Sequence, residues 1–366
     1  MLEARLSRIT YDARPRRGWW LVCALALLRT AVLIRAAEAT PGYWEVASTA
    51  DLLSAVAAMP AVGGTIVLRP GTYALEAPLR FSRSNHVNLV GSGWNTTLQR
   101  RGAGAAIEFQ DCSFCAVRDL MLVGDAAAAS GNGVLYTGQS GSNSIAHCRL
   151  ANWPESGVRY VGEATVPQSS NTVRDCHFID NAGDQLASLH NNDFYLDGNQ
   201  FGAHARQGAR APRSGVLLDH SAAGTYSRNY HWGNRVALRL VAGSHFNRIE
   251  NNRFEQSRET GILIGDPEGR EELYLTLFLG NTIHTNSEET SGACAAVEAT
   301  RAVDFTFAAN QVFSWNSAVT QHRSSLVLGT GCRNWIVKDN ILRHNTGPAL
   351  VFDPAAGHIV KDNLGQ

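Results

Sequence analysis

The sequence predicts an all-β protein, a single-stranded right-handed parallel β-helix of about ten coils with an N-terminal capping helix. Three observations carry this expectation. A short motif recurs at intervals of 22 to 31 residues, Asn occupies one position of that motif in many copies, and an apolar residue stands two places after it. A period that wanders while its core residues persist suits a solenoid whose loops vary and whose strands do not.

Residues 1–39 read as a signal peptide or N-terminal anchor. Arg5, Arg8, Arg14, Arg16 and Arg17 precede an apolar run from Trp19 to Leu28, and Ala37-Glu38-Ala39 gives an A-x-A cleavage signal. Arg16-Arg17 ahead of Gly18-Trp19-Trp20-Leu21 also resembles a twin-arginine signal. Residues 40–366 then form one β-helix domain, expected to be secreted, periplasmic or held at the cell surface. That part carries 25 basic and 29 acidic side chains, a net charge of −4, and only two lysines, Lys338 and Lys361. Such a balance offers no footprint for nucleic acid. Six cysteines remain after residue 39, and Cys112-x-x-Cys115 has no second CxxC to complete a zinc site. They read as small buried residues or as disulfides of unassigned pairing.

The elements follow in order. Ser48 caps an amphipathic helix through Leu52, Leu53, Val56 and Ala57, placed to cover the open end of the solenoid. Thr65-Ile66-Val67-Leu68 opens the first coil, with Pro70-Gly71-Thr72-Tyr73 as its turn. The repeating triplets are Leu120-Met121-Leu122, Cys148-Arg149-Leu150, Cys176-His177-Phe178, Asn199-Gln200-Phe201, Tyr230-His231-Trp232, Asn252-Arg253-Phe254, Asn281-Thr282-Ile283, Asn310-Gln311-Val312 and Asn340-Ile341-Leu342. Their third members form an apolar interior column that includes Trp232. Asn199, Asn252, Asn281, Asn310 and Asn340 stack at about 4.8 Å per rung, close enough for an amide ladder. A Gly-led strand follows each triplet, as in Gly133-Val134-Leu135-Tyr136 and Gly261-Ile262-Leu263-Ile264, and a third short apolar element precedes it, as in Asn247-Arg248-Ile249. Three short alternating strands per coil complete the pattern.

These residues resemble the pectin-lyase-like right-handed parallel β-helix superfamily. Gly63 to Tyr73 is similar to its first coil, Val90-Gly91-Ser92-Gly93 with Thr96-Thr97-Leu98 to its second, and Asn247 to Gly265 to its carbohydrate-binding and sugar-hydrolase repeats. The resemblance spans about residues 45–366. It implies the fold firmly and the chemistry weakly, since this fold hosts lyases, polygalacturonases, uronan epimerases, fructan transferases, phage tailspikes and copper-chaperone-like proteins. Paired Asp-Asp, Gly-His-Gly and Asp-Pro-His-Asp motifs are absent from the sequence.

Outward columns decide function in a solenoid. The second residues of the triplets give Met121, Arg149, His177, Gln200, His231, Arg253, Thr282, Gln311 and Ile341, with Glu255 and His284 two positions further on and Asp180 nearby. This strip suits a sugar chain laid lengthwise. His231, Arg253, Glu255, Asp180, Asp184 and Asp219 are its candidate catalytic residues: a carboxylate pair for hydrolysis, or His and Arg for proton abstraction beside a neutralised uronate. His177, Gln200, Arg149, Arg239 and His284 are candidate sugar contacts, joined by Trp153 and Trp315 as stacking surfaces in the flanking loops. Arg206, Arg210 and Arg213 suit the carboxylates of uronic acids, or are solvated loop charges. His190, Asp219, His220 and Asp266 fall near the ends of Gly-led strands, where turn capping accounts for them more simply than a metal, so no metal is assigned.

The outward column of the Gly-led strands (Leu135, Arg159, Ala187, Leu217, Arg239, Leu263, Val327, Val351) is mainly apolar and suggests a homo-oligomer contact. The reading is an exported carbohydrate-active enzyme cleaving a polysaccharide, with uronic acid a candidate component, by lyase or glycoside hydrolase chemistry. Fructan transfer and a non-catalytic polysaccharide-binding scaffold are the alternatives. No cofactor is called for, except Ca²⁺ in the case of a lyase.

Overall fold

The computed structural model describes residues 40–204, 212–265, 271–315 and 322–365. The leader assigned to residues 1–39, together with Arg206, Arg210 and Asp266, lies outside them. No described helix is long and apolar enough to cross a membrane.

From residue 41 the chain winds through three long parallel sheets, passing from first to second to third and back to the first in each coil. The first sheet has 13 strands, from Gly42–Val46 to Ile359–Lys361. The second has 11, from Gly71–Leu75 to Ile341–Arg343, and holds the Asn-led triplets. The third has 11, from Leu79–Ser82 to Leu350–Val351, and holds the Gly-led strands. This is the parallel β-helix that the repeats predict. Most strands are only three to five residues long, and alternation leaves one or two side chains of each in the core. The Ser48-capped helix Thr49–Ala57 buries Leu52 and Ala55 against the first coil.

Register is parallel and unshifted from rung to rung, so like positions stack. In the third sheet Phe81, Phe109, Tyr136 and Tyr160 stack at centroid spacings of 5.2, 5.0 and 4.9 Å. In the second sheet the interior column runs Leu122, Leu150, Phe178, Phe201, His231, Phe254, Ile283, Val312 and Leu342. His231, not Trp232, fills its rung. The expectation of an outward His231 is therefore corrected: its ring is fully buried, and Trp232 faces out.

The Asn ladder is longer than expected. Side-chain amides link Asn199, Asn229, Asn252, Asn281, Asn310, Asn340 and Asn363 at 2.8 to 3.1 Å. Each Oδ1 also accepts the backbone N–H of the residue one rung before, as in Asn229 N–H to Asn252 at 2.8 Å. Each Nδ2 also donates to a backbone carbonyl, as from Asn252 to Tyr226 at 3.0 Å. The ladder thereby satisfies polar backbone at a buried corner. We expect Asn252→Ala to destabilise the fold by about 3 kcal/mol, since it orphans several buried groups at once. Asn363→Ala, at the half-exposed end, should cost about 1 kcal/mol. Thermal unfolding of both variants checks this, and equal losses would contradict it.

Of the apolar column on the third sheet, Ala187 and Leu217 are buried within the chain itself, while Val351 is exposed. The exposed apolar strip is thus shorter than the sequence suggests.

Candidate functional site

Two outward columns run along the second sheet. One reads Met121, Arg149, His177, Gln200, Tyr230, Arg253, Thr282, Gln311 and Ile341. The other, two residues on, reads Val123, Ala151, Ile179, Gly202, Trp232, Glu255, His284, Phe313 and Arg343. Their polar members converge in the middle of the sheet.

Glu255 is the centre of this convergence. Tyr230 donates its hydroxyl to the Glu255 carboxylate, His284 Nε2 lies 2.8 Å from it, and the Arg253 guanidinium pairs with it. Burial works to raise the Glu255 carboxyl, but the hydrogen bonds from His284 and Tyr230 and the charges of His284 and Arg253 outweigh it and hold it at about 2. Burial and the same carboxylate push the Tyr230 phenol up to about 12. Glu255 is therefore a fixed carboxylate near neutral pH, and Tyr230 a proton donor. The Arg253 guanidinium lies 5.2 Å over the Tyr230 ring and remains half-exposed to the groove. His284 Nδ1 meets the Thr285 hydroxyl at 3.0 Å, and its ring stacks on Phe313 at 5.2 Å.

A second constellation stands at the corner of the same sheet. Asp180, in a left-handed turn conformation, accepts the His204 backbone N–H at 2.6 Å and faces His204 Nδ1 at 3.3 Å. That contact leaves the His204 Nε2 edge directed away from Asp180, on a largely exposed ring. The ring sits edge-on to Trp232 at 4.9 Å. Trp232 can lie back along the sheet because its neighbour is Gly202, where an added Cβ would fall 2.2 Å from the indole.

At the other end of the strip Trp94 reaches from the loop before strand Thr96–Arg100. Its ring lies 5.4 Å under the Arg149 guanidinium and 5.0 Å edge-on to His177. Burial and the Arg149 charge lower the His177 pKa, which favours a neutral ring.

The second sheet thus brings together Arg149, His177, Gln200, Arg253, Glu255 and His284 of the expected residues, with Asp180 at its corner. It does not bring the others. Asp184 belongs to the third sheet, where it is buried in a bidentate pair with Arg213 (3.2 and 2.7 Å), a hydrogen bond from Ser214, and Arg239 at 3.9 Å. Arg213 and Ser214 thus hold its carboxylate within the sheet, and Arg239 is tied to the same cluster. Asp219 sits at the far end of its strand, 2.6 Å from His220 Nδ1. Trp153 is buried, because the turn after strand Arg149–Ala151 folds it onto the core, so it offers no surface for stacking. Trp315 is 79% exposed beside the Phe313 end of the strip.

Four residues of the site escape the sequence reading: Tyr230, Trp232, His204 and Trp94. Asn229 is the signal for the first two. It heads the true triplet Asn229-Tyr230-His231 and restores ladder separations of 30 and 23 residues.

No group of three or more His, Cys, Asp or Glu among the described residues is arranged to hold a metal ion. The His190 and His220 rings stack at 4.5 Å, but Asp219 and Glu271 take the two nitrogens of His220.

Comparison with solved structures returns the same architecture. The A-module of a mannuronan C-5 epimerase from Azotobacter vinelandii superposes with a TM-score of 0.64 at 15% identity, covering 87% of this chain and 95% of that one. The Dettilon tailspike protein gives 0.65 at 12%, covering 85% and 64%. A lacto-N-biosidase from Eubacterium ramulus gives 0.59 at 11%, covering 94% and 71%. At such identities the likeness is one of fold. No curated protein matches the sequence. The model of the family described as periplasmic copper-binding protein (NosD) matches residues 87–306, well over half of the sequence, and the chain belongs to that family.

Proposed function

We propose that this chain is an exported glycan-processing protein. In this reading it binds an acidic polysaccharide along the second sheet and transfers a proton at the sugar carbon next to the carboxylate. The observation that carries the reading is the Tyr230–Arg253–Glu255–His284 cluster. Its charges favour proton abstraction over hydrolysis. Glycoside hydrolysis needs a protonated carboxyl beside a second carboxylate, and Glu255 is held ionised at about 2. The chemistry of a uronate asks instead for a cation on its carboxylate, a base and an acid.

Arg253 supplies the cation, which takes the place that Ca²⁺ fills in some lyase schemes. His204, oriented by Asp180, accepts the hydrogen of the carbon next to the carboxylate, and the C–H electron pair moves into the carboxylate as an enolate. In elimination that pair then expels the glycosidic oxygen, Tyr230 protonates the leaving group, and an unsaturated uronate and a free chain end result. In epimerisation Tyr230 protonates the same carbon from the opposite face.

Copper, which the family description names, does not suit the donors present. His284 is engaged through both nitrogens. Cys112, Cys115, Cys148 and Cys176 are sealed in the interior, and no three His, Cys, Asp or Glu side chains converge among the described residues. A non-catalytic glycan-binding scaffold is the second reading, supported by Trp94, Trp232 and Trp315 beside the strip.

Incubation of the full chain with pectate, alginate and glycosaminoglycans tests the proposal, read by the ultraviolet absorbance of unsaturated uronates and by product masses. Absorbance lost by about 10²-fold in Tyr230→Phe supports it. Binding without any product favours the scaffold, and new reducing ends without absorbance would show hydrolysis.

A further inference from the structure

We propose that Trp94, Arg149 and His177 form a separate subsite for one carboxylated sugar, several residues along the chain from the reacting centre; this rests on the glycan groove proposed above. Arg149 lies three rungs from Tyr230, about 14 Å at about 4.8 Å per rung, and His177 lies two rungs away. Each sugar of an extended chain spans roughly one rung, so a chain centred on Tyr230 reaches Trp94 with its second to fourth unit.

The chemistry of the three residues is specific. Most Arg side chains that show a partner on this molecule pair with a carboxylate, as Arg228 does with Asp197 and Arg333 with Glu272. Arg149 has no acidic partner among the described residues, and its buried Nε makes no hydrogen bond. Its guanidinium is instead held over the Trp94 ring. A half-buried cation kept without a counter-charge is costly, unless a ligand supplies the anion. Trp94 is 44% exposed beside that cation, and its exposed surface can take a stacked pyranose ring. The Arg149 fork then meets the carboxylate of the same sugar, and the ring nitrogens of His177 face its hydroxyls. The Trp94 ring thus reaches two successive rungs of the strip, at Arg149 and at His177.

Calorimetric titration with uronic-acid oligomers of two and six units, and with their carboxyl-reduced counterparts, tests this on the full chain. The native protein is expected to bind the hexamer far more tightly than the dimer. Trp94→Ala and Arg149→Gln should each weaken hexamer binding about tenfold and leave dimer binding nearly unchanged. Arg149→Gln should make no difference with the carboxyl-reduced hexamer, and Arg149→Lys should restore part of the loss. Hexamer binding that is native-like in both Trp94→Ala and Arg149→Gln overturns the subsite, even where elimination is observed. A length-dependent loss without product formation upholds the subsite and rejects the proton-transfer chemistry instead. No binding of any oligomer by the native protein overturns both.

Discussion

Replacing Glu255 by Gln is expected to lower turnover on an acidic glycan by about 10² to 10³-fold, with little change in substrate binding. Gln keeps an oxygen for Tyr230 but removes the charge that pairs with Arg253 and His284. The phenol loses the carboxylate that helps raise it, and the Arg253 fork swings free of its fixed position. Both effects misplace the acid and the cation at the moment charge develops. The variant should also report on stability. The carboxyl lies near its ordinary value of 4.5 in the unfolded chain and at about 2 in the fold. Its stabilisation is therefore complete above about 4.5 and is lost as pH falls towards 2. The native protein should lose on the order of 3 kcal/mol across that window, a loss that Glu255→Gln removes from the curve. Progress curves and thermal unfolding at several pH values check the two parts separately. Unchanged turnover would remove Glu255 from the reacting centre.

The second large effect is acid instability built into the core by His231. The ring is fully buried between Phe201 and Phe254 at 4.8 and 5.0 Å, and burial pushes its pKa from 6.5 down to about 3. Between those values the unfolded chain takes up a proton that the fold refuses. Stability contributed by the neutral ring is thus full above 6.5 and declines as pH falls towards 3. The decline is on the order of 4 kcal/mol. His322, pushed down to about 4 by burial, acts in the same direction and is untouched by changes at His231. His231→Phe should continue the aromatic stack but orphan the Tyr226 hydroxyl that meets Nε2, at a cost of about 1 kcal/mol. The variant should be slightly less stable than the native protein near neutral pH and clearly more stable near pH 4. Thermal unfolding against pH would show the two curves crossing, whereas parallel curves would show that His231 does not control the acid transition.

The architecture was legible because repetition is a property of the sequence itself. The Asn column, the apolar residue two places after it and the Gly-led strands recur often enough to fix three sheets and most of the register. The reading failed in one coil, and the reason is steric. Trp232 looks like the larger core residue, yet Gly215 stands across that rung, where even a Cβ would lie 2.3 Å from the His231 ring. The interior there admits an imidazole hydrogen-bonded to Tyr226, and Gly202 outside makes room for the indole. Hydrophobicity alone cannot report such a trade between neighbouring rungs. Arg253, Glu255 and His284 were legible as neighbours because they share one face of adjacent rungs. The partnership of Asp180 with His204, and of Trp94 with Arg149, depends on how turns project, which the strand period does not encode. Asp184 and Asp219 show the converse: their residue types suit catalysis, but the third sheet commits them to Arg213 and His220.

The most direct test of the central claim is proton exchange at the sugar. The full chain would be incubated with a uronic-acid oligosaccharide in heavy water, and the product examined by NMR for deuterium at the carbon next to the carboxylate, alongside absorbance for elimination. Proton abstraction by His204 predicts deuterium at that carbon or an unsaturated product, the loss of both in His204→Gln, and the loss of the unsaturated product in Tyr230→Phe. Cleavage that leaves the hydrogen at that carbon in place and forms no double bond would contradict the account.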